Sequence, residues 1–552
     1  MKHISKTNLV IAGFALISFA YYIQLTVGEL GRTQFDDAYM VTRYAKHWLN
    51  GDGFSWNAVD GPAYGITSPA YLIVITAVLG LVGCPDAMAL TITSFVAGLL
   101  SVLTLVLLGF LIQKNCWSKK SWIPLLVVPS FLFVPPFRAH SLTGMETTLS
   151  LLSNAILACT MVIATRQRST QVLWVCLLAG FFSFATRPDN GLYALFLPPL
   201  FFIATDRQLW RYAIRYAVLF AAIIASSLLM NYFVFNDFLP LPFFAKAKGF
   251  YQGYLGATSW NPMKEMLIFG SAALPCLLVI VSKVSKQSLA PVLAIIVVGI
   301  ASFAYYATVI QIMGFYARYY YPSMAFVVFA AFIAVFGSVE SMPIKSSGNA
   351  VGLRLLAGLL VLLSILSSGI KNTAIQLWEK HAITAPTVIQ SFTQYRKPQA
   401  VQLPRLGWWD IFSKICDLLE QVPRGIVFAA SEYGFIGTCF PDLTIIDLVG
   451  LHDRVIAHHG FSAAYVFSRK PDLIWFPHPD YTGAVAQILD DPTFRRSYAY
   501  YPGAYEFGIA LRKDSEHYAA LKVATEREFA RIYPGLTMSN YLAEPIAAFE
   551  KK

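Results

Sequence analysis

Phe35-Asp36-Asp37-Ala38-Tyr39 comes shortly after a long apolar run, Asn8 to Val27. Two carboxylates side by side near a bilayer repel each other and lose solvation, so such a pair needs a purpose. Asp36 could cap the amphipathic helical pattern that follows, Ala38 to Leu49, with Asp37 favoured by the helix dipole. The purpose that uses both is proton transfer, with Asp36 preferred as the general base.

Working outward, the chain of 552 residues is 56% hydrophobic and 13% charged. A soluble protein of this length would carry roughly twice that charge fraction. Repeated apolar runs of about 20 residues indicate a polytopic α-helical membrane protein. The first run lacks a small-residue cleavage site and reads as a retained helix. A net charge of +11 suggests no nucleic-acid partner, because much of the excess lies in short loops. The cysteines show no metal spacing; Cys416 and Cys439 alone fall in the polar tail, where a disulfide between them is one option.

Hydropathy predicts eleven transmembrane helices, near 8–28, 87–113, 121–137, 147–165, 171–186, 190–205, 212–235, 265–282, 288–310, 320–338 and 354–371. The stretch from Pro69 to Gly83 is short of a bilayer's width and is expected to enter only half-way. With the N-terminus inside, the inner loops gather Lys114, Lys119, Lys120, Arg166, Arg168, Arg207, Arg211, Arg215, Lys283 and Lys286. Making 69–83 a full span would turn those clusters outward, against the positive-inside rule. Two parts follow: a transmembrane module, 1–371, with a catalytic first outer loop at 29–86, and an extracytoplasmic C-terminal α/β domain, 372–552. In the latter, 425–431, 443–448 and 472–476 read as strands, and 409–421, 482–490 and 515–532 as helices.

The outer helix ends collect unusual residues: Tyr39, Arg43 and His47; then Arg138, His140 and Glu146; then Arg187 and Asp189; then Lys246 and Lys248; then Arg318 among tyrosines. Polar helix ends and snorkelling lysines are ordinary at membrane interfaces. Glu146 opens a helix and Arg187 precedes a proline, so each has a local explanation. Five outer loops that each present a cation beside Pro, Gly or aromatic residues point instead to one cavity for a phosphate or pyrophosphate.

The pattern resembles the GT-C superfamily of polyprenyl-phosphate-sugar-dependent glycosyltransferases, most closely the branch of the mycobacterial terminal arabinofuranosyltransferase. The matching residues are Phe35 to Tyr39, Arg43-Tyr44-Ala45, Gly51-Asp52-Gly53-Phe54, Thr67-Ser68-Pro69, Gly144-Met145-Glu146-Thr147, Arg187-Pro188-Asp189, Pro240 to Lys246, Arg318-Tyr319 and Asp447 to Asp453. The resemblance implies a GT-C fold, a catalytic aspartate in the first outer loop and a lipid-linked donor. The loop Val59 to Gly65 departs from those relatives by an extra Pro and an Asp.

The expected enzyme moves a sugar, arabinofuranose or a similar pentose, from a polyprenyl-phosphate donor to a glycan, lipid or protein acceptor of the cell envelope. Asp36 and Asp37 would be catalytic. Arg187, Lys246, Lys248 and Arg318 would hold the donor phosphate. Tyr39, Arg43, His140, Glu146 and Asp189 would line the substrate site. No cofactor is required; a divalent cation between the aspartates and the phosphate is compatible. Membrane lipids are the surroundings, in a bacterial inner membrane with the N-terminus cytoplasmic and the site periplasmic. The rivals are a hexosyl- or mannosyltransferase of the same superfamily and a lipid or sugar transporter, the latter disfavoured because the ionisable residues avoid the midplane.

Overall fold

The computed structural model describes residues 6–113, 122–132, 134–247, 261–308, 314–337, 406–478 and 481–538. Its first part is a helical bundle: α1 (Lys6–Val27), α2 (Asp36–Asn50), α3 (Pro69–Val82), α4 (Asp86–Gln113), α5 (Val127–Leu132), α6 (Pro135–Leu142), α7 (Thr147–Gln167), α8 (Thr170–Thr186), α9 (Gly191–Thr205), α10 (Trp210–Phe235), α11 (Leu241–Ala247), α12 (Asn261–Lys283), α13 (Lys286–Thr308) and α14 (Met324–Phe336).

Among the described residues, seven helices are long and apolar enough to cross a membrane, or eight if α5 and α6, bent by 68°, make one span. The eleven expected spans therefore resolve as follows. Seven are matched, and 121–137 is the bent pair. The spans at 171–186 and 190–205 are helices of 17 and 15 residues, with Pro198 and Pro199 inside the second. The span at 354–371 lies outside the described residues. The 14-residue α3 is ~21 Å long, short of the ~30 Å hydrocarbon core.

Apolar side chains on α10 stand in the open, Val218 at 62% and Phe233 at 77% exposure. Water would penalise so large a patch; lipid does not. The chain is a membrane protein. The two ends of the bundle differ chemically. The α7–α8 and α9–α10 turns meet in an Arg168–Asp206 ion pair at 2.8 Å. The opposite ends of those helices carry Glu146, Arg187 and Asp237.

The polar tail forms a sheet with strand order β2-β1-β3-β5-β4. Its strands are β1 (Val427–Ala430), β2 (Thr444–Asp447), β3 (Leu473–Trp475), β4 (Tyr498–Tyr501) and β5 (Ile509–Arg512). The first three pair in parallel, with β5 and β4 added antiparallel. Around it lie α15 (Trp408–Leu419), α16 (Gly434–Cys439), α17 (Arg454–His459), α18 (Ala463–Ser468), α19 (Thr482–Asp490), α20 (Pro492–Ser497) and α21 (Tyr518–Ile532). Cys416 and Cys439 are both free thiols.

The sheet shares one hydrophobic core with α2, α3 and the start of α4: Tyr44, Trp56, Leu72 and Leu90 pack in the same cluster as Phe428, Ile446 and Trp475. A second seam joins α11 to α17 through Leu241, Ala245, Val449 and Ala457. There the Asp237 carboxylate meets Arg454 Nε at 3.1 Å and His458 Nε2 at 2.7 Å. The segment that carries Lys246 is thus held by the sheet layer.

The contact between α2 and α16 is so close that Gly434 has no room for a side chain. A Cβ there would sit 2.1 Å from the backbone oxygen of Asp36. Gly434→Ala is expected to lower stability by ~1–3 kcal/mol as the two helices are forced apart. A thermal-unfolding midpoint in detergent equal to the wild-type value would show that the contact is looser than described.

Candidate active site

Helix α2 starts where Phe35 turns extended (φ −106°, ψ 108°) and stops at Gly51, whose φ of 91° suits a residue without a Cβ. Asp36 does not cap this helix. Its carboxylate reaches the N-terminus of α16 instead: Oδ2 accepts from the Tyr433 N–H at 3.2 Å and the Gly434 N–H at 2.9 Å, and Oδ1 from the Phe435 N–H at 2.7 Å. Asp36 is 1% exposed. Burial is the main force that pushes its pKa up to about 7; the Asp37 charge adds to that, and the three amides pull the other way.

Arg43, two turns further along the same face of α2, is fully buried. Its N–H groups donate to the carbonyls of Trp56, Gly437, Phe440 and Leu443 and to Asn57 Oδ1, at 2.6–3.1 Å. Asp36 and Arg43 therefore fix the sheet layer to α2. Arg43 spends its donors on backbone carbonyls and Asn57, and each Asp36 oxygen accepts from at least one backbone amide.

Asp37, the next residue, lies about 100° around the helix and is half-buried. Burial raises its pKa. The Arg318 and Lys246 cations hold the rise back and Glu146 adds to it.

Glu146 is the hub of a buried ion cluster. Arg187 Nη1 reaches Glu146 Oε1 at 3.2 Å, and Arg318 Nη2 reaches both Glu146 oxygens, at 3.0 and 3.1 Å. Arg187 also forks onto Asp189, Nη2 to Oδ2 at 2.7 Å, and Asp189 Oδ2 accepts from the Tyr306 hydroxyl at 2.6 Å. The Tyr319 ring lies 5.1 Å from the Arg187 guanidinium and 5.9 Å from that of Arg318. Burial would push the Glu146 pKa up, yet Arg318 and Arg187 together hold it below the usual carboxylate value. Burial likewise opposes the Arg187 charge, and Asp189 and Glu146 outweigh it, so that its pKa rises. The four charges sum to zero, and the buried Arg318 Nε has no hydrogen-bond partner among the described residues.

The structure thus brings together Asp37, Glu146, Arg187, Asp189 and Arg318, with the half-buried Lys246 within electrostatic reach of Asp37. Other expected site residues serve elsewhere. The Tyr39 hydroxyl donates to the Thr33 carbonyl at 3.1 Å, and its ring packs on Trp409 and Phe435. His140 is fully buried and its Nε2 bonds the Tyr316 carbonyl at 2.9 Å. Lys248 lies outside the described residues. Sequence reading missed Tyr306 and Glu265. Glu265 accepts from the Ala317 N–H. A carboxylate five residues into a helix whose later turns are apolar was the available signal for it.

A family model described as a domain of unknown function, DUF8728, matches residues 393–526. No curated protein matches the chain. Among solved structures the chain is similar to the crystal structure of ArnT from Cupriavidus metallidurans in the apo state, at 11% identity, over 90% of this chain and 98% of that one, with a TM-score of 0.51. The crystal structure of the same protein bound to undecaprenyl phosphate gives 12% identity, the same coverage and a TM-score of 0.49. At such identity the likeness is one of fold.

Asp36 and Asp37 should separate on mutation. In Asp36→Asn the new amide group faces a backbone N–H donor, which costs ~1–3 kcal/mol, and the unfolding midpoint should fall. Asp37→Asn should leave the midpoint within a degree or two. Equal midpoints for both variants would refute the docking role of Asp36.

Proposed function

We propose that the chain is an integral membrane glycosyltransferase that moves a sugar from a polyprenyl-phosphate donor to a hydroxyl of a cell-envelope glycan, lipid or protein. A pentose such as arabinofuranose is favoured by the sequence motifs, ahead of a hexose or mannose. One observation carries the reading: a half-buried carboxylate, Asp37, lies under the field of Arg318 and Lys246 beside a buried, ion-paired cluster. That is the arrangement for removing a proton next to a departing phosphate.

In the proposed reaction a carboxylate oxygen of Asp37 takes the proton of the acceptor hydroxyl. The hydroxyl oxygen forms its bond to the anomeric carbon as the bond from that carbon to the phosphate oxygen breaks. The polyprenyl phosphate leaves with the electron pair. Arg318 and Lys246 offset the charge that grows on it, Lys248 is a further candidate, and Arg187 keeps Glu146 and Arg318 in register. Asp36 acts through the position of Asp37. Asp36 already accepts from three backbone amides, and the proposal routes no step through a divalent ion. The proposed setting is a bacterial inner membrane, N-terminus in the cytoplasm, with the transmembrane module 1–371 and the domain 372–552 meeting at a periplasmic site.

With a panel of radiolabelled polyprenyl-phosphate sugars, Asp37→Asn should lose about 10²–10⁴-fold in transfer, the range of a positioned base, while retaining its fold. Turnover near the wild-type rate would dismiss Asp37 as the base. The pH profile supplies a second check. The base must be ionised, so activity rises with pH through its pKa, which burial has moved above the ordinary carboxylate value. Lys246 pulls that pKa down, so Lys246→Met should shift the acid limb to higher pH; a limb that stays put, or moves to lower pH, contradicts the assignment.

A further inference from the structure

Arg318 follows two residues with left-handed backbone, Tyr316 (φ 53°) and Ala317 (φ 60°). Neither is glycine or asparagine, and side chains bearing a Cβ rarely adopt this conformation unless the surroundings impose it. The surroundings here are specific. The peptide group that joins Tyr316 to Ala317 is gripped at both ends by ionisable side chains from two different helices. Its carbonyl accepts from His140 Nε2, on α6, at 2.9 Å. Its N–H donates to Glu265 Oε2, on α12, at 2.5 Å. Because a carbonyl can only accept, His140 carries its hydrogen on Nε2.

Tyr316 is 37% exposed, but the groups that grip its peptide are shut away from water. His140 and Ala317 are fully buried, and Glu265 is 9% exposed. Burying a carboxylate is costly, and a neutral glutamine or serine could also accept one N–H. The anionic acceptor holds that N–H more strongly. The other side of the turn is fixed as well: Phe315 stacks on Phe35, next to the aspartate pair, with ring centroids 4.5 Å apart. What the turn delivers is Arg318, with Nη2 shared between the two oxygens of Glu146. Rotation of the 316–317 peptide would redirect the Arg318 side chain at its root.

We infer that Glu265 and His140 form a clamp that holds the Tyr316–Ala317 peptide in its left-handed form and so aims Arg318 at the phosphate of the lipid donor. Both are positioning residues, and the inference rests on the donor reading given above. It also gives His140 a role without contact to substrate.

The test compares two ligands that differ only in charge. The purified full-length protein in detergent is titrated with undecaprenyl phosphate and, separately, with undecaprenol. Wild-type protein should prefer the phosphate. Glu265→Ala should weaken phosphate binding by about tenfold or more, some 1.4 kcal/mol, and leave undecaprenol binding within about twofold. Glu265→Gln, which keeps an acceptor for the Ala317 N–H, should recover most of the preference. If Glu265→Ala does not fold, His140→Ala reads the other end of the same peptide and should show the same selective loss. A phosphate-over-alcohol preference unchanged in the folded alanine variant overturns the clamp and leaves the donor reading standing. Wild-type protein with no preference for the phosphate overturns the donor reading, and the purpose of the clamp with it.

Discussion

The grip of one side chain on the start of another helix organises this end of the molecule. Asp36 offers its carboxylate to three amides at the N-terminus of α16, the place where a negative charge gains most from the helix dipole. The same interface is reinforced from both sides. Arg43 supplies donors to the carbonyls that close the α16 segment. Asn57 lies along the edge of β2, accepting from the Ile445 N–H at 2.9 Å and donating to its carbonyl at 3.0 Å, as a paired strand would. Buried polar contacts of this kind tolerate little slippage, because every group left unpaired costs free energy. The rotation of α2 is set accordingly, and that rotation decides where Asp37 looks. The acidic pair divides its labour by helix geometry: one member anchors, and its neighbour, about 100° on, turns to the ion cluster.

Much of the fold could be read in the residues. The long helices α4, α7, α10, α12 and α13 are apolar runs with no competing period, so hydropathy alone locates them. The parallel strands β1, β2 and β3 are apolar clusters bounded by turn residues and stand out in a polar tail. The strands β4 and β5 do not, since Tyr498–Tyr501 and Ile509–Arg512 are four residues each and sit in a stretch rich in Tyr, Arg and Gly. The convergence of Glu146, Arg187 and Arg318 was suggested by repetition: a cation beside Pro, Gly or aromatic residues in loop after loop at one end of the helices. The use of Asp36 could not be read. Its partners are backbone amides nearly 400 positions away, and an amide has no signature in a sequence. The role of Glu265 was hidden in the same way, because one partner of its carboxylate is the N–H of an alanine.

The seam between α11 and α17 gives the sheet layer a second hold on the site. Asp237, paired with both Arg454 and His458, fixes the start of the segment that ends at Lys246. Asp37 and Lys246 are thus each referred to the same rigid body by separate polar contacts. On the proposed reading, the placement of Asp37 relative to Lys246 depends on the sheet layer as much as on the bundle.

The charge balance of the cluster bears on how such a site would treat a phosphate. Arg187 is spent on Glu146 and Asp189, so it contributes little free positive charge. Two unpaired arginines side by side in a buried hollow would repel each other and lose solvation, and would hold their places poorly until a ligand arrived. Glu146 removes that penalty by receiving both, which keeps Arg318 in one orientation with its buried Nε still available. On the proposed reading, the donor's phosphate meets a preset donor group and pays little to organise it. The stabilisation then grows where it is needed, as negative charge accumulates on the departing phosphate in surroundings that screen weakly. A neutral cluster that keeps donor capacity on Arg318 is better suited to this than a set of bare cations, because it favours the leaving group over the intact donor.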